Sequence, residues 1–342
     1  MWDDLRGHQR TLELFRQAFR RERSAHAYLL IGPEGIGKRT FAFKLSQCLF
    51  CERTGSHELD ACGECHACKQ MQAGTHPDLL SIARPDGKRE LPIELIVGSS
   101  DRRGREGLCH ELAMRPMSAD RRIAIIDDAQ TMNAASANAL LKTLEEPPPG
   151  SILFLLTPSV DAILPTIRSR CQPVTFTPLP DEDLAELITS QGLSTDAEEV
   201  QQITTLAGGS LVTAQQLLHP VLRELRERLF RALGERELDP FATTSQVLTT
   251  LDALGGDPAT QRRHAGWIVR FCVEFFRNEL RSSQLSDPED PLAEAPELDR
   301  LAAQMERCID AELQLQQSMP LPLCLEGLFD ELSRLRRGRV PA

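Results

Sequence analysis

Four of the ten cysteines, Cys51, Cys62, Cys65 and Cys68, follow one another as C-x10-C-x2-C-x2-C. The two consecutive x2 spacings put three thiolates within reach of one ion, and Cys51 adds a fourth from the end of the preceding helix. Four thiolates satisfy tetrahedral Zn²⁺. An iron–sulfur cluster also accepts closely spaced cysteines and stays open as the competitor. Cys48, one helical turn earlier among apolar neighbours, is a rival first ligand, and His66 is a lesser one. Four filled positions leave no open coordination site, so such a metal would be structural.

A second chemical stretch is Gly32–Pro33–Glu34–Gly35–Ile36–Gly37–Lys38–Arg39–Thr40, between the apolar run Tyr28–Ile31 and an apolar helix from Phe41 to Phe50. Strand, glycine loop and helix are the setting of a phosphate-binding loop. Backbone N–H groups curl round phosphate oxygens, the helix N-terminus adds positive potential, and Lys38 would reach the terminal phosphates. The residue after the lysine should carry a hydroxyl for Mg²⁺, but it is Arg39. Thr40 lies about 100° further round the helix and is no simple substitute. Gly32, Gly35, Gly37, Lys38 and Thr40, with Asp127, form a degenerate nucleotide site. Weak binding and a retained tight turn without nucleotide both stay open, and hydrolysis is not expected.

These groups need a frame, and Arg122–Cys171 supplies its centre. Ile123–Ile126 is an apolar run ending in Asp127 and Asp128, as a strand buried on both faces would be. Asn133 can cap a helix whose Ala137, Leu140, Leu141 and Leu144 share a face. Glu145–Glu146–Pro147–Pro148–Pro149–Gly150 stops it, and Ile152–Leu156 reads as the next strand. Strand, helix and strand make a crossover unit, with polar residues just past the strand ends, where open α/β sheets place their sites. Leu79–Ile82 reads as another strand, followed by a charged loop from Arg84 to Leu91.

Composition sets limits. The 342 residues suggest two or three domains. No apolar run is long enough to span a membrane and the first ten residues are polar, so neither membrane span nor signal peptide is expected. Ten cysteines then point to a reducing, cytoplasmic compartment. A formal net charge of −11, one Tyr and two Trp argue against a surface that grips nucleic acid throughout or stacks bases. Arg102, Arg103 and Arg105 form a local basic cluster, read first as a solvated face and second as a contact to DNA backbone or an acidic neighbour.

The glycine loop, the cysteines and the central stretch together resemble the delta-prime subunits of the bacterial DNA polymerase III clamp loader, within the AAA+ class. Asn138–Ala139–Leu140–Leu141–Lys142–Thr143–Leu144–Glu145–Glu146–Pro147–Pro148 is similar to the run shared by gamma/tau and delta-prime subunits. Ser169–Arg170–Cys171 resembles the family's SRC motif, and Met71–Asp78 after the cysteines is also family-like. The resemblance implies an α/β AAA+ P-loop parallel-sheet domain over residues 1–178, with a zinc module at about 48–75. A helical lid over 179–219 and a helical collar over 220–342 follow. It implies structural zinc on Cys51, Cys62, Cys65 and Cys68, and Arg170 as an arginine finger acting on a neighbour's ATP. Partners would be gamma/tau-like and delta-like subunits in a hetero-pentamer, with primed DNA and the sliding clamp reached through the complex.

Three departures separate this chain from the hydrolysing gamma/tau pattern: Arg39 for the hydroxyl residue, Asp128 for the glutamate that polarises water, and Val212 for the lid's arginine sensor. A non-hydrolysing subunit that completes another's site is therefore expected, with ATP on this chain doubtful. The alternative is an active gamma/tau-like ATPase that tolerates Arg39. An autonomous zinc-dependent DNA-binding protein suits the acidic charge poorly. Beyond His219 the pattern is helical, at Val221–Leu233, Thr260–Arg281, Glu297–Glu312 and Leu323–Leu335, with an acidic loop over Ser283–Pro296. Ile268, Phe271, Cys272, Phe275 and Phe276 form an apolar stripe that is core or interface.

Overall fold

The computed structural model describes the chain except residues 1, 3, 4, 56, 86, 87, 89, 236, 257, 286–290, 318 and 338–342. It divides into two compact units, Met1–Ala214 and Gln215–Ala342.

The first unit is built on five parallel strands: β1 (Ala27–Ile31), β2 (Leu79–Ile82), β3 (Arg122–Ile126), β4 (Ser151–Thr157) and β5 (Gln172–Thr175). Their order is β2-β3-β4-β1-β5, so the three most apolar strands are central and β2 and β5 are the edges. Every residue of β3 and β4 is buried, as both-face burial of a parallel sheet requires.

The pleat sorts these strands into two layers. On one face Tyr28, Leu30, Ile123, Ile125, Phe154 and Leu156 pack with Phe15 of α1 (Gln9–Arg20), Phe41 and Leu45 of α2 (Lys38–Phe50), and Met71 of α3 (His66–Gln72). On the other, Ala27, Leu29, Ala124, Ile126, Leu153 and Leu155 meet four helices and the Cys171 turn. Those helices are α4 (Ile93–Val97), α5 (Leu108–Ala113), α6 (Ala134–Glu145) and α7 (Pro165–Arg168). This is the doubly covered parallel α/β sheet expected of an AAA+ domain.

Local signals explain the elements. Asn133 Oδ1 accepts a hydrogen bond from Ser136 N at 2.9 Å and caps α6, which ends before the three prolines. After β5 come α8 (Asp181–Ser190), α9 (Ala197–Ala207) and α10 (Leu211–Leu217). The capping residue of α9 is Asp196, whose carboxylate accepts from Glu198 N at 3.0 Å.

The second unit contains α11 (Pro220–Gly234), α12 (Pro240–Leu254), α13 (Pro258–Leu285), α14 (Pro291–Gln316) and α15 (Leu321–Arg336). Helix α12 is absent from the sequence reading. Its buried face is Thr243, Thr244, Val247 and Leu251, too polar for an apolar-stripe search. The threonine hydroxyls are satisfied by donating to Asp239 O and Pro240 O, both at 2.7 Å. The apolar stripe on α13 is core: Ile268, Phe271, Cys272 and Phe276 are buried, and Phe275 packs edge-on to Phe230 at 5.5 Å. Of the acidic loop, 286–290 lie outside the described residues and 291–296 open α14. Among the described residues no helix is long and apolar enough to cross a membrane.

Candidate functional site

The glycine loop leaves the carboxyl end of β1 and turns into α2 through Gly37, whose φ of 97° is left-handed and suits glycine. Lys38 opens the helix and is only 8% exposed. Its Nζ donates to Gly32 O at 2.6 Å and Pro33 O at 2.7 Å, so the ammonium is held against the loop's own carbonyls. Burial pulls its pKa down, and the carboxylates of Asp127, Glu34 and Asp128 oppose that. Gly35, at φ +75°, lies under Ser210 and Val212: a Cβ there would collide with Ser210 Oγ and come within 2.9 Å of Val212 Cβ. Thr40 is exposed.

Asp127 and Asp128 stand at the end of β3, beside the end of β2, where Asp127 N donates to Ile82 O at 2.8 Å. Each carboxylate faces a guanidinium. Arg39 Nη1 is 3.6 Å from Asp127 Oδ2, and Arg84 Nε is 3.7 Å from Asp128 Oδ2. Burial raises the pKa of Asp127, as does the neighbouring Asp128 charge, against Arg39, Lys38 and the Asp128 N–H. Asp128 itself has left-handed backbone, φ 53°, and its N–H donates to Asp127 Oδ1 at 3.1 Å. A magnesium site needs a hydroxyl and carboxylates open to the ion; here a guanidinium replaces the hydroxyl and both carboxylates carry counter-charges. The residues present do not fit the metal. The sequence reading missed Arg84, which it placed only in a charged loop. Its partner is 44 positions away and meets it only because β2 and β3 are neighbours.

Arg170 follows α7. Its Nη2 lies 2.6 Å from Glu145 Oε1, and its Nη1 donates to Thr166 O at 2.9 Å and Ser169 Oγ at 3.2 Å. Cys171 beside it is buried and its thiol is pushed up to about 12, so the turn is pinned while the arginine lies outside. Arg168 pairs instead with Asp161, at 3.8 Å.

The sulfur atoms of Cys51, Cys62, Cys65 and Cys68 all lie within 4.8 Å of one another. A tetrahedron with metal–sulfur bonds of about 2.3 Å has edges of about 3.8 Å, and Cys62 Sγ to Cys68 Sγ is 4.0 Å. Cys51 ends α2 and Cys65 caps α3. Backbone N–H groups point at the sulfurs: Cys62 N to Cys51 Sγ at 3.5 Å, Cys65 N to Cys62 Sγ at 3.3 Å, and Cys68 N to Cys65 Sγ at 3.4 Å. For Cys51, burial opposes ionisation, but the N–H groups of Cys62, Arg53 and Thr54 and the Thr54 hydroxyl bring it down to about 6. Burial and its thiol neighbours push Cys68 up to about 12. The cluster fits a metal ion: a dication would relieve the mutual repulsion of the four thiolates. Cys48 is buried in the core outside this group, its thiol pushed up by burial, and His66 is likewise outside it.

One buried group escaped the sequence reading as a feature of its own. Asp78, at the end of the insert, is fully buried and accepts from Met117 N at 2.7 Å, Ser118 N at 2.8 Å and Ala119 N at 2.9 Å. Arg122 Nε is 3.4 Å away.

Residues 7–180 match the protein family described as "DNA polymerase III, delta subunit". The chain is 35% identical over 217 residues to a DNA polymerase III subunit delta' of Pseudomonas aeruginosa, covering 63% of this chain and 62% of that one. It is 29% identical over 269 residues to the Escherichia coli subunit delta', covering 79% and 75%. A solved gamma-subunit-related protein of Thermotoga maritima is 16% identical with a TM-score of 0.42, over 95% of this chain and 99% of that one.

Proposed function

The chain belongs to the delta-prime family of DNA polymerase III clamp-loader subunits, and from that premise we propose that it serves in clamp loading without hydrolysing ATP itself. In this reading it is a fixed member of a hetero-pentamer with gamma/tau-like and delta-like subunits. It presents Arg170 to the ATP held by an adjacent gamma/tau-like subunit, and it reaches primed DNA and the sliding clamp through the assembly. Helices α8–α10 serve as the lid, α11–α15 as the collar, and the four cysteines hold one structural Zn²⁺.

The observation that carries the reading is the pairing of both strand-end carboxylates with arginines, Arg39 with Asp127 and Arg84 with Asp128. A hydrolysing site uses these carboxylates to hold Mg²⁺ and to position water. Here they are counter-ions. Val212 adds to this, because an apolar side chain in the lid offers no charge to a phosphate. Arg170, the part of the hydrolysing pattern that serves a neighbour's site, is kept, and it acts only if another chain brings the nucleotide.

ATP turnover, measured for the isolated chain and again after mixing with gamma/tau-like and delta-like partners, tests the proposal. We expect none from the chain alone and turnover in the assembly. Turnover by the isolated chain, free of contaminating ATPase, favours the gamma/tau-like motor instead.

A further inference from the structure

Glu145 and Arg170 come from different elements, and both hang from fixed backbone. Glu145 is the last residue of α6. Leu144 before it is buried, and its carbonyl accepts from His26 Nε2 at 3.0 Å. Pro147 follows at once, so the helix cannot run on. Ile167 and Cys171, on either side of the Arg170 turn, are buried as well. The two side chains therefore meet across a gap that the fold sets.

The three contacts of the guanidinium are not alike. Nη1 donates to Thr166 O at 2.9 Å and Ser169 Oγ at 3.2 Å, neutral acceptors on the arginine's own turn. Nη2 is held at 2.6 Å by the Glu145 carboxylate, an anion from another helix. A carboxylate offers a guanidinium the same kind of charged oxygen that a phosphate does. Glu145 thus occupies the edge that phosphate oxygens would take, while the contacts of Nη1 keep the side chain aimed. The arginine side chain is 35% exposed and the glutamate's 50%, so an arriving anion can reach both. A terminal phosphate carries about 1.5–2 negative charges against one for a carboxylate, and the exchange runs toward phosphate.

We propose that Glu145 is a positioning residue for Arg170. It holds the Nη2 edge while no nucleotide faces the arginine, and it competes for that edge with the phosphates of the neighbour's ATP. The inference rests on the reading of Arg170 as a finger acting on an adjacent subunit's ATP. Its consequence is a threshold: a neighbouring site without a terminal phosphate leaves Arg170 docked on α6.

The test is the steady-state ATPase of the complex reconstituted with gamma/tau-like and delta-like subunits. Wild type, Glu145→Gln, Arg170→Ala and the double variant are compared. Half-exposed pairs of this kind shift an equilibrium by up to about fivefold, and one of several ATP sites is affected, so Glu145→Gln should raise kcat/KM for ATP about 1.5-fold or more. The gain should vanish when Arg170 is already alanine. Glu145→Ala should behave like Glu145→Gln. Glu146→Gln, which removes the next charge and leaves the contact, should change nothing. Replacing a residue that merely stabilised the end of α6 would lower the rate, with or without Arg170. No gain in normally assembled Glu145→Gln and Glu145→Ala complexes, or a gain that persists in the Arg170→Ala background, overturns the proposal. Loss of assembly in both Glu145 variants makes the residue structural and overturns it too. An unchanged kcat/KM in Arg170→Ala sinks the finger reading itself, whereas a loss there without a gain in Glu145→Gln sinks only this inference.

Discussion

Arg170 Nη2 lies 2.6 Å from Glu145 Oε1, so the arginine assigned to a neighbour's site is held at home by the last residue of α6. The pair is half exposed, and pairs of that kind contribute about 0–1 kcal/mol. Release toward a stronger anion is therefore inexpensive. The same contact means that Arg170 also has a local role, bonding Thr166 O near the C-terminal end of α7.

Arg170→Ala separates the two roles. It should leave folding, metal content and subunit assembly intact, and lower the DNA- and clamp-stimulated ATPase of the reconstituted complex. A finger that completes a single site alone is worth about 10³–10⁵ in rate. A ring with several ATP sites should lose far less, on the order of tenfold or below by that comparison. Arg168→Ala, which removes only the pair with Asp161, should do less. Wild-type clamp loading by a normally assembled Arg170→Ala complex would leave only the local role.

Metal analysis of the purified chain should find one zinc. Cys65→Ser should lower the metal content and loosen the segment between α2 and α3, seen as faster proteolysis there, while leaving β1–β5 folded. Iron in place of zinc, or four freely reactive thiols without metal, contradicts the assignment.

Arg39→Thr restores the hydroxyl residue of a working loop, yet it should not restore ATP turnover. Arg84 still faces Asp128, and Val212 still lies over Gly35. Steady-state ATPase of the purified variant checks this. Turnover after this one change means that Arg39 is the sole block.

Asp78→Ala should destabilise the first unit by about 3–5 kcal/mol, the cost of leaving a buried charge without its partner. Burial works against the Asp78 carboxylate, but the N–H groups of Met117, Ser118 and Ala119 outweigh it and hold its pKa below the usual carboxylate value. A depressed carboxylate stabilises fully above its unfolded pKa of about 3.9, and that contribution is lost as pH falls through the lower folded value. Thermal unfolding of wild type should therefore decline in acid over that window. Asp78→Asn, already weaker at neutral pH, should show a smaller decline. Equal acid sensitivity of the two proteins would contradict the role.

What the sequence revealed, and what it hid, follows from range. The cysteine spacing, the glycine loop, the cap at Asn133 and strands β1 to β4 are local patterns, and each is found where its pattern put it. The Arg84–Asp128 pair and the Asp78 clamp join segments about 40 positions apart, and only strand order brings them together. Helix α12 hid because threonines satisfied by their own backbone do duty on its inner face. The start of α14 hid because prolines and acids there imitate a loop, although proline is well tolerated in a first helical turn.

The Asp78 clamp also has a mechanical side. The chain leaves the cysteine insert through His76–Pro77–Asp78 and runs straight into β2, an edge strand with one neighbour. Asp78 grips the backbone just ahead of β3, so a pull on the insert is not borne by β2 alone. It is delivered to the turn that feeds the strand carrying Asp127 and Asp128. The insert is thus less a pendant than a lever arm, bolted to the sheet at one carboxylate, and strain on it would be transmitted to the ends of β2 and β3 instead of dissipating in a slack tether.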